Sequence, residues 1–430
     1  MRALITWLAA CLAAAALGAG GAGLAELPSA RLGILLAGAL VCGVAFVLWP
    51  WSVLPAGVIG GVGATTLLSD GHVTFVVEVH AGVLAVGCLA LLARKVVSPG
   101  CDKPIRTVAD GPMLGFAAFI LLAAGYGLAC GNTPHQVLIA GYEFAVVPAY
   151  FFLATHTLTS PQRLKAAGIL YVVGAAVLAA SDLTTPGRHG GLLSVLAIPP
   201  LLVAVGRLRG WRQVGLLLLI AGFTVDATLA SYRAMWLVTG VALLILLIRG
   251  TASVRRGVAA AVITGALLTV SVATFSTGAQ ARSALVGQEL HESAGYRAQE
   301  ASIGLNAFTT RPLIGHGLGQ SVPHVYLPDF AVTDIGPTYH VFYVMILANL
   351  GLVGLALMGW PLAQALRGAL ASRDGQALAF ASLTCGFLAA AAFAGPTDGH
   401  WELGLLAALT LMSSRAGTGL AGSCSLGGTQ

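Results

Sequence analysis

The sequence predicts an all-α polytopic membrane protein with roughly 12 to 14 transmembrane helices and one long periplasmic loop containing amphipathic helices. Three observations carry this. Hydrophobic residues make up 57% of the chain and charged residues only 9%, with a mean hydropathy of +0.88, whereas soluble domains hold about 25% charged residues. The apolar runs are long stretches of Leu, Ala, Val and Gly, which suit helices; strands of a membrane barrel would alternate apolar and polar residues. A single extended polar stretch, residues 277–340, interrupts these runs.

Taken in order, each span needs about 20 mostly apolar residues. Such runs cover residues 3–25, 32–49, 52–69, 73–93, 112–130, 137–155, 166–181, 191–206, 213–230, 234–248 and 257–276 ahead of the polar stretch. After it come 338–358, 376–395 and 400–414. The divisions within 32–69 and 213–248 are the least marked. The first run begins after Met1-Arg2 and reaches Ala25, so it reads as a first transmembrane helix rather than a signal peptide. The chain thus divides into transmembrane helices over 1–276, a long outer loop over 277–337, and further transmembrane helices with a short cytoplasmic tail over 338–430.

The basic residues orient this array. Sixteen of the 22 Lys and Arg fall on one set of loops, among them Arg94, Lys95, Arg207, Arg209, Arg255 and Arg415. The other set holds Arg31, Arg188, Arg233, Arg282, Arg297 and Arg311. Lys and Arg accumulate on the cytoplasmic side, so the long loop faces outward, into the periplasm of a Gram-negative host. The net charge of +6 is therefore a topology signal, and no nucleic-acid partner is expected. Every outer cation is an arginine, whose planar fork engages phosphate bidentately. The seven cysteines, Cys11, Cys42, Cys88, Cys101, Cys130, Cys385 and Cys424, avoid the long loop, which supports neither a disulfide framework nor a cysteine zinc site.

Within the loop, Ala298, Ala301, Leu305 and Phe308 recur at helical spacing, with Arg297, Glu300 and Gly304 on a neighbouring face. This predicts an amphipathic helix resting on the membrane surface or the bundle. Pro312 ends it, because a proline disfavours helical conformation in the residue before. The cluster Gly315-His316-Gly317-Leu318-Gly319 then reads as a flexible turn leading back to the membrane.

Three constellations could carry chemistry. Arg233, in Ser231-Tyr232-Arg233 at an outer membrane boundary, is costly there unless paired or facing a cavity. Asp226, seven residues earlier, would share a helix face with it and form a structural ion pair if one helix continued through both. Arg297 and Arg311, converging on one outer cavity, would bind a diphosphate and neutralise charge growing on a phosphate leaving group; a solvated loop face is the alternative. His340, where the loop re-enters the membrane, is a candidate general base, since an imidazole with pKa near 6.5 accepts a proton at neutral pH. A metal is a competing use for His291, His316, His324, His340, Asp329 and Asp334, but their spacings match neither a zinc helix motif nor an EF-hand, and the outer loops hold no Asp-x-Asp pair. Glu78, His80, Glu143, Asp398 and Glu402 lie in or beside apolar runs, as parts of a polar cavity or as structural pairs.

Taken together, Arg233, Tyr296-Arg297, Thr310-Arg311-Pro312-Leu313-Ile314-Gly315-His316-Gly317-Leu318-Gly319, His340 and Ala348-Asn349-Leu350-Gly351-Leu352-Val353-Gly354 resemble the O-antigen ligase and polymerase superfamily over about residues 220–360. The resemblance implies a metal-independent and cofactor-free membrane glycosyltransferase of the GT-C type in the bacterial inner membrane, with its active site facing the periplasm. Its donor would be an undecaprenyl diphosphate-linked glycan, and a ligase would transfer that glycan to lipid A-core. Arg233 and Arg297, with Arg311 alongside, would hold the diphosphate, and His340 would deprotonate the acceptor hydroxyl. Tyr232 separates Ser231 from Arg233, and Val341 follows His340, where the superfamily often has Ser-Arg and His-Asn.

Two further readings stay open. Within the superfamily, an O-antigen polymerase or a protein O-oligosaccharyltransferase would use another acceptor. From a different class, a transporter or flippase for a lipid-linked sugar would tend to show repeated halves and midplane charges; no clear repeat is visible, and the distinctive polar residues gather in one outer loop.

Overall fold

A computed structural model describes residues 42–67, 73–97, 104–184, 191–229, 233–275, 297–326, 331–335, 339–371, 374–393 and 400–419. Among these, α1 covers residues 42–48, α2 Val53–Leu67, α3 Val73–Val97, α4 Asp110–Ala129, α5 Pro134–Thr157, α6 Pro161–Thr184 and α7 Leu192–Val205. Trp211–Leu229 forms α8, Arg233–Arg249 α9, Ala252–Phe275 α10, residues 297–310 α11, Phe342–Ala371 α12, Gly375–Ala390 α13 and Trp401–Gly419 α14. The protein is an all-α polytopic membrane protein. Four described stretches, Asp110–Ala129, Pro134–Thr157, Pro161–Ala180 and Phe342–Leu370, are long and apolar enough to cross a bilayer.

The boundaries follow local chemistry. Pro50 opens a 3-10 turn over Pro50–Ser52 that divides α1 from α2, since its ring supplies no N–H to continue a helix. The second faint division falls between Leu229 and Arg233, so Asp226 and Arg233 lie on separate helices and their seven-residue spacing is not two turns of one. The run expected over 338–358 is part of a longer helix: α12 continues through Pro361 to Ala371. Its polar additions, Gln364 and Arg367, hid that extension from a hydropathy reading. The first apolar run and residues 277–296 lie outside the described residues.

A two-stranded ribbon was not anticipated. Val322–Tyr326 forms β1 and Ala331–Ile335 forms β2, antiparallel, with Val322 opposite Ile335 and Tyr326 opposite Ala331. Each strand carries valine or isoleucine at its ends or centre, residues that suit a pleated surface.

The chain divides into two compact units, one of residues 1–105 and 153–174, the other of residues 106–152 and 175–430. In the first, α2 and α3 pack closely: Val53 sits against Gly87, where a side chain would collide with it. The Arg94 guanidinium donates to the Val47 carbonyl at 2.7 Å.

The second unit contains every candidate site residue. Its core buries Phe116, Phe144, Phe223, Phe342, Phe387 and Trp401. Small residues set the helix spacing, as lipid-embedded packing requires: a Cβ on Gly386 of α13 would lie 2.6 Å from the Val238 carbonyl of α9. Here α9 and α13 make the most extensive helix pair among the described residues.

Residues 312–319 dock into this unit rather than forming a loose turn. Helix α12 is broken at Gly351, whose φ of 65° and ψ of −164° are open to glycine alone. The break strands backbone groups on both sides, and the loop satisfies them. His316 and Gly317 N–H donate to the Ala348 and Asn349 carbonyls at 2.9 and 3.0 Å, while Leu352 and Val353 N–H donate to the Pro312 and Leu313 carbonyls at 2.9 and 3.0 Å. Leu318 N–H reaches the Ala123 carbonyl of α4 at 3.1 Å, and the Asn132 amide donates to the Leu318 carbonyl at 2.8 Å. Gly315, Gly317 and Gly319 all take positive φ. Backbone passes so close to each that a Cβ would strike it, which accounts for the glycine cluster.

Candidate active site

Helix α11 forms where its periodicity placed it, and Arg311-Pro312 ends it, but the face it buries is the polar one. Glu300 is 1% exposed and Gly304 is buried, whereas Leu305 is 44% exposed and Ala298 also faces outward. The reason lies in Gly304. Lacking a side chain, it admits the Tyr339 ring and the Val344 side chain to within van der Waals reach of the helix backbone. That approach brings the Glu300 carboxylate against the segment leading into α12.

There the carboxylate meets His340. Glu300 Oε2 accepts the His340 backbone N–H at 2.9 Å, and the imidazole Nδ1 lies 3.1 Å from Oε1 and 3.0 Å from Oε2. A carboxylate only accepts hydrogen bonds, so a hydrogen on Nδ1 would be directed at Glu300. The His340 side chain remains 53% exposed, while that of Glu300 is 2% exposed. The site thus sets a half-exposed imidazole on a buried carboxylate. Tyr339 packs beside it, its phenol pushed up to about 12 by burial first and by the Glu300 charge second. It stays protonated at neutral pH and is no rival as a base.

Arg297 stands one turn before Glu300 on the same helix. Its guanidinium donates to the Phe393 carbonyl at 3.0 Å. The turn at 391–393 that follows α13 also receives the Phe342 N–H, on the Ala391 carbonyl at 3.1 Å, and Tyr343 donates to the Leu388 carbonyl at 2.6 Å. The end of α13 therefore joins Arg297 and His340 into one patch. Behind it, a second pair is buried: His400 Nδ1 lies 2.6 Å from Glu402 Oε1, and the His400 ring meets Phe342 edge-on at 4.1 Å between centroids.

Arg311 is not part of that patch. It lies at the far end of α11, roughly 20 Å from Arg297 at 1.5 Å rise per residue. Its guanidinium donates to the Tyr126 hydroxyl, lies 5.8 Å from the Tyr126 ring centroid, and is 3.9 Å from Cys130 Sγ. His316 is also structural. Its Nε2 lies 2.9 Å from the Ala307 carbonyl and 2.8 Å from Thr310 Oγ1, where it closes the C-terminus of α11. Arg233 opens α9, whose Trp236 indole donates to the Ala227 carbonyl of α8 at 3.0 Å. Asp226 is buried on α8 and accepts from Ser194 Oγ at 2.6 Å. Among the described residues no three His, Cys, Asp or Glu gather as metal ligands. Of the wider set, His80, Glu143 and Glu402 are buried; Asp398, His291 and Asp329 lie outside the described residues.

A hydroxyl could lose its proton to His340 Nε2 while a departing anion is met by the Arg297 guanidinium. Sequence reasoning singled out those two residues as candidates and named Glu300 and Glu402, but it paired neither Glu300 with His340 nor Glu402 with His400. One signal was available: Glu300 and Gly304 stand one turn apart on a single face, as expected where a helix is drawn into close contact.

Comparison with curated proteins returned no match. A sequence model described as O-antigen ligase matches residues 214–359, which contain Arg233, Arg297, Glu300, Arg311 and His340. Over this segment, about a third of its length, the chain is similar to the O-antigen ligase family.

Proposed function

We propose that the protein transfers a glycan from an undecaprenyl diphosphate carrier to lipid A-core at the periplasmic face of the bacterial inner membrane, with inversion and without a metal. The family implies ligase- or polymerase-type glycan transfer in general. The observation that carries the finer reading is the joining of Arg297 and His340 into one patch by the end of α13.

In this reading His340 Nε2 takes the proton from an acceptor hydroxyl. The oxygen attacks the anomeric carbon, and the bond from that carbon to the phosphate oxygen breaks. The electron pair leaves on undecaprenyl diphosphate, whose charge the Arg297 guanidinium neutralises. Arg233 is the second arm of the clamp. Successive membrane helices alternate in direction, so α9 and α13 run antiparallel. Arg233 stands five residues before Val238, as Ala391 stands five after Gly386, and both lie about 7.5 Å toward the same end. Arg311, on the Tyr126 ring, would meet a more distant part of the donor.

The test is transfer from purified donor to lipid A-core in EDTA. Wild type transfers; His340→Ala loses about 10²–10⁴-fold, and Arg297→Ala about 10²–10³-fold, with both variants folded. A requirement for added Mg²⁺ sinks the metal-free reading. Transfer to a second lipid-linked glycan instead of lipid A-core assigns a polymerase, and carrier movement without transfer assigns a flippase.

A further inference from the structure

We infer that Glu300 is the positioning residue of His340: it fixes the imidazole as the Nδ1-protonated tautomer and aims Nε2 at the acceptor. The inference rests on His340 being the base.

Four observations carry it. Both carboxylate oxygens lie within hydrogen-bond distance of Nδ1, and Oε2 also holds the His340 backbone N–H. One carboxylate therefore fixes both the main chain and the ring of the same residue. Glu300 is buried, where an ionised group is costly unless its hydrogen bonds are satisfied. His340 satisfies it while remaining half exposed. The contact depends on Gly304, one turn on, where any side chain would meet Tyr339 and Val344 and push the helix away. Finally, Arg297 and Glu300 share the first described turn of α11. One rigid helix thus carries both the leaving-group cation and the support of the base, which fixes their separation.

The proton inventory is simple. The Nδ1 hydrogen never leaves the ring, Nε2 gains the acceptor proton, and the Glu300 carboxylate balances the imidazolium that results. Oxygen nucleophile and anomeric carbon form the new bond as the phosphate oxygen departs.

Glu300→Gln keeps the shape and an acceptor for the His340 N–H, but its amide nitrogen can donate to Nδ1 and invert the tautomer. We expect kcat to fall about 100-fold or more, with donor KM and thermal stability unchanged. In ¹⁵N-histidine-labelled protein, the His340 signal, identified by its loss in His340→Gln, reports protonated Nδ1 in wild type and protonated Nε2 in Glu300→Gln. Glu300→Asp, which keeps the charge one methylene short, restores the Nδ1 tautomer and part of the rate; it also serves if Glu300→Gln does not fold. In a His340→Ala background Glu300→Gln costs nothing further.

Wild-type transfer by Glu300→Gln beside an inactive His340→Ala removes the role of Glu300 alone. An additional loss from Glu300→Gln in the His340→Ala background shows a merely structural carboxylate and overturns the inference. Wild-type transfer by His340→Ala removes the base, and with it the reading on which the inference stands.

Discussion

Gly304 governs how near α11 comes to the segment before α12. A Cβ there would lie 3.0 Å from the Tyr339 ring and closer still to Val344. Gly304→Ala should therefore destabilise the protein by about 1–3 kcal/mol. By shifting Glu300 off His340 it should also slow transfer roughly 10- to 100-fold. Thermal unfolding in detergent and the transfer assay measure the two effects; a Gly304→Ala protein with wild-type values for both would refute the close-packing account. Tyr339 yields a separate expectation. Its folded pKa of about 12 exceeds the ordinary 10, so the fold favours the protonated phenol. The associated stability is fully present below pH 10 and is lost as pH rises through 12, by up to about 3 kcal/mol. Tyr339→Phe should flatten that decline relative to wild type in unfolding measured between pH 9 and 12. At this scale the sequence was half legible. Arg297 and His340 stood out because a charge or an imidazole at a membrane boundary is unusual. Glu300 did not, because a glutamate beside an arginine on a helix normally faces water, and only the glycine one turn on hinted otherwise.

Helix α12 is really two helices sharing a name. Its interruption at Gly351 places a Cβ site 2.5 Å from the Leu313 carbonyl carbon and oxygen and 2.6 Å from Gly315 N. Gly351→Ala combines a disallowed φ/ψ with that clash. It should destabilise by at least about 1–3 kcal/mol and release residues 312–317, seen as faster amide exchange confined to that stretch. Unchanged exchange would mean that the loop is held by α4 and α5 alone. Apolar runs and prolines located the helices and the end of α11. They could not reveal the break, since Asn349-Leu350-Gly351-Leu352 reads as ordinary membrane helix and tolerated glycines are common there. The ribbon of β1 and β2 was hidden for a related reason: two five-residue strands, one containing a proline, make too short an alternation to register as a pattern.

For the whole molecule, the arginine and lysine distribution predicts an orientation that can be measured directly. In a background without native cysteines, Ser302→Cys on α11 should react with an impermeant maleimide added from the periplasmic side. Arg209→Cys, between α7 and α8, should react only after the inner membrane is opened. Reaction in the opposite order would turn the whole array over and place the candidate site inside the cell. Both positions are exposed, so a failure to react reports sidedness rather than burial. The chain alone yields an expected orientation because that depends on summed charge, not on how any side chain packs.

The four hydrogen bonds between residues 312–317 and the interrupted helix also bear on how such proteins diverge and can be recombined. A donor segment grafted for new acceptor preference will not seat on a host whose membrane helix lacks the matching interruption. Exchange of 277–340 alone should give inactive, poorly expressed chimeras, whereas exchange of 277–358 as one cassette should give active ones. The unit of inheritance in this protein would then be a loop together with the half-helices that receive it.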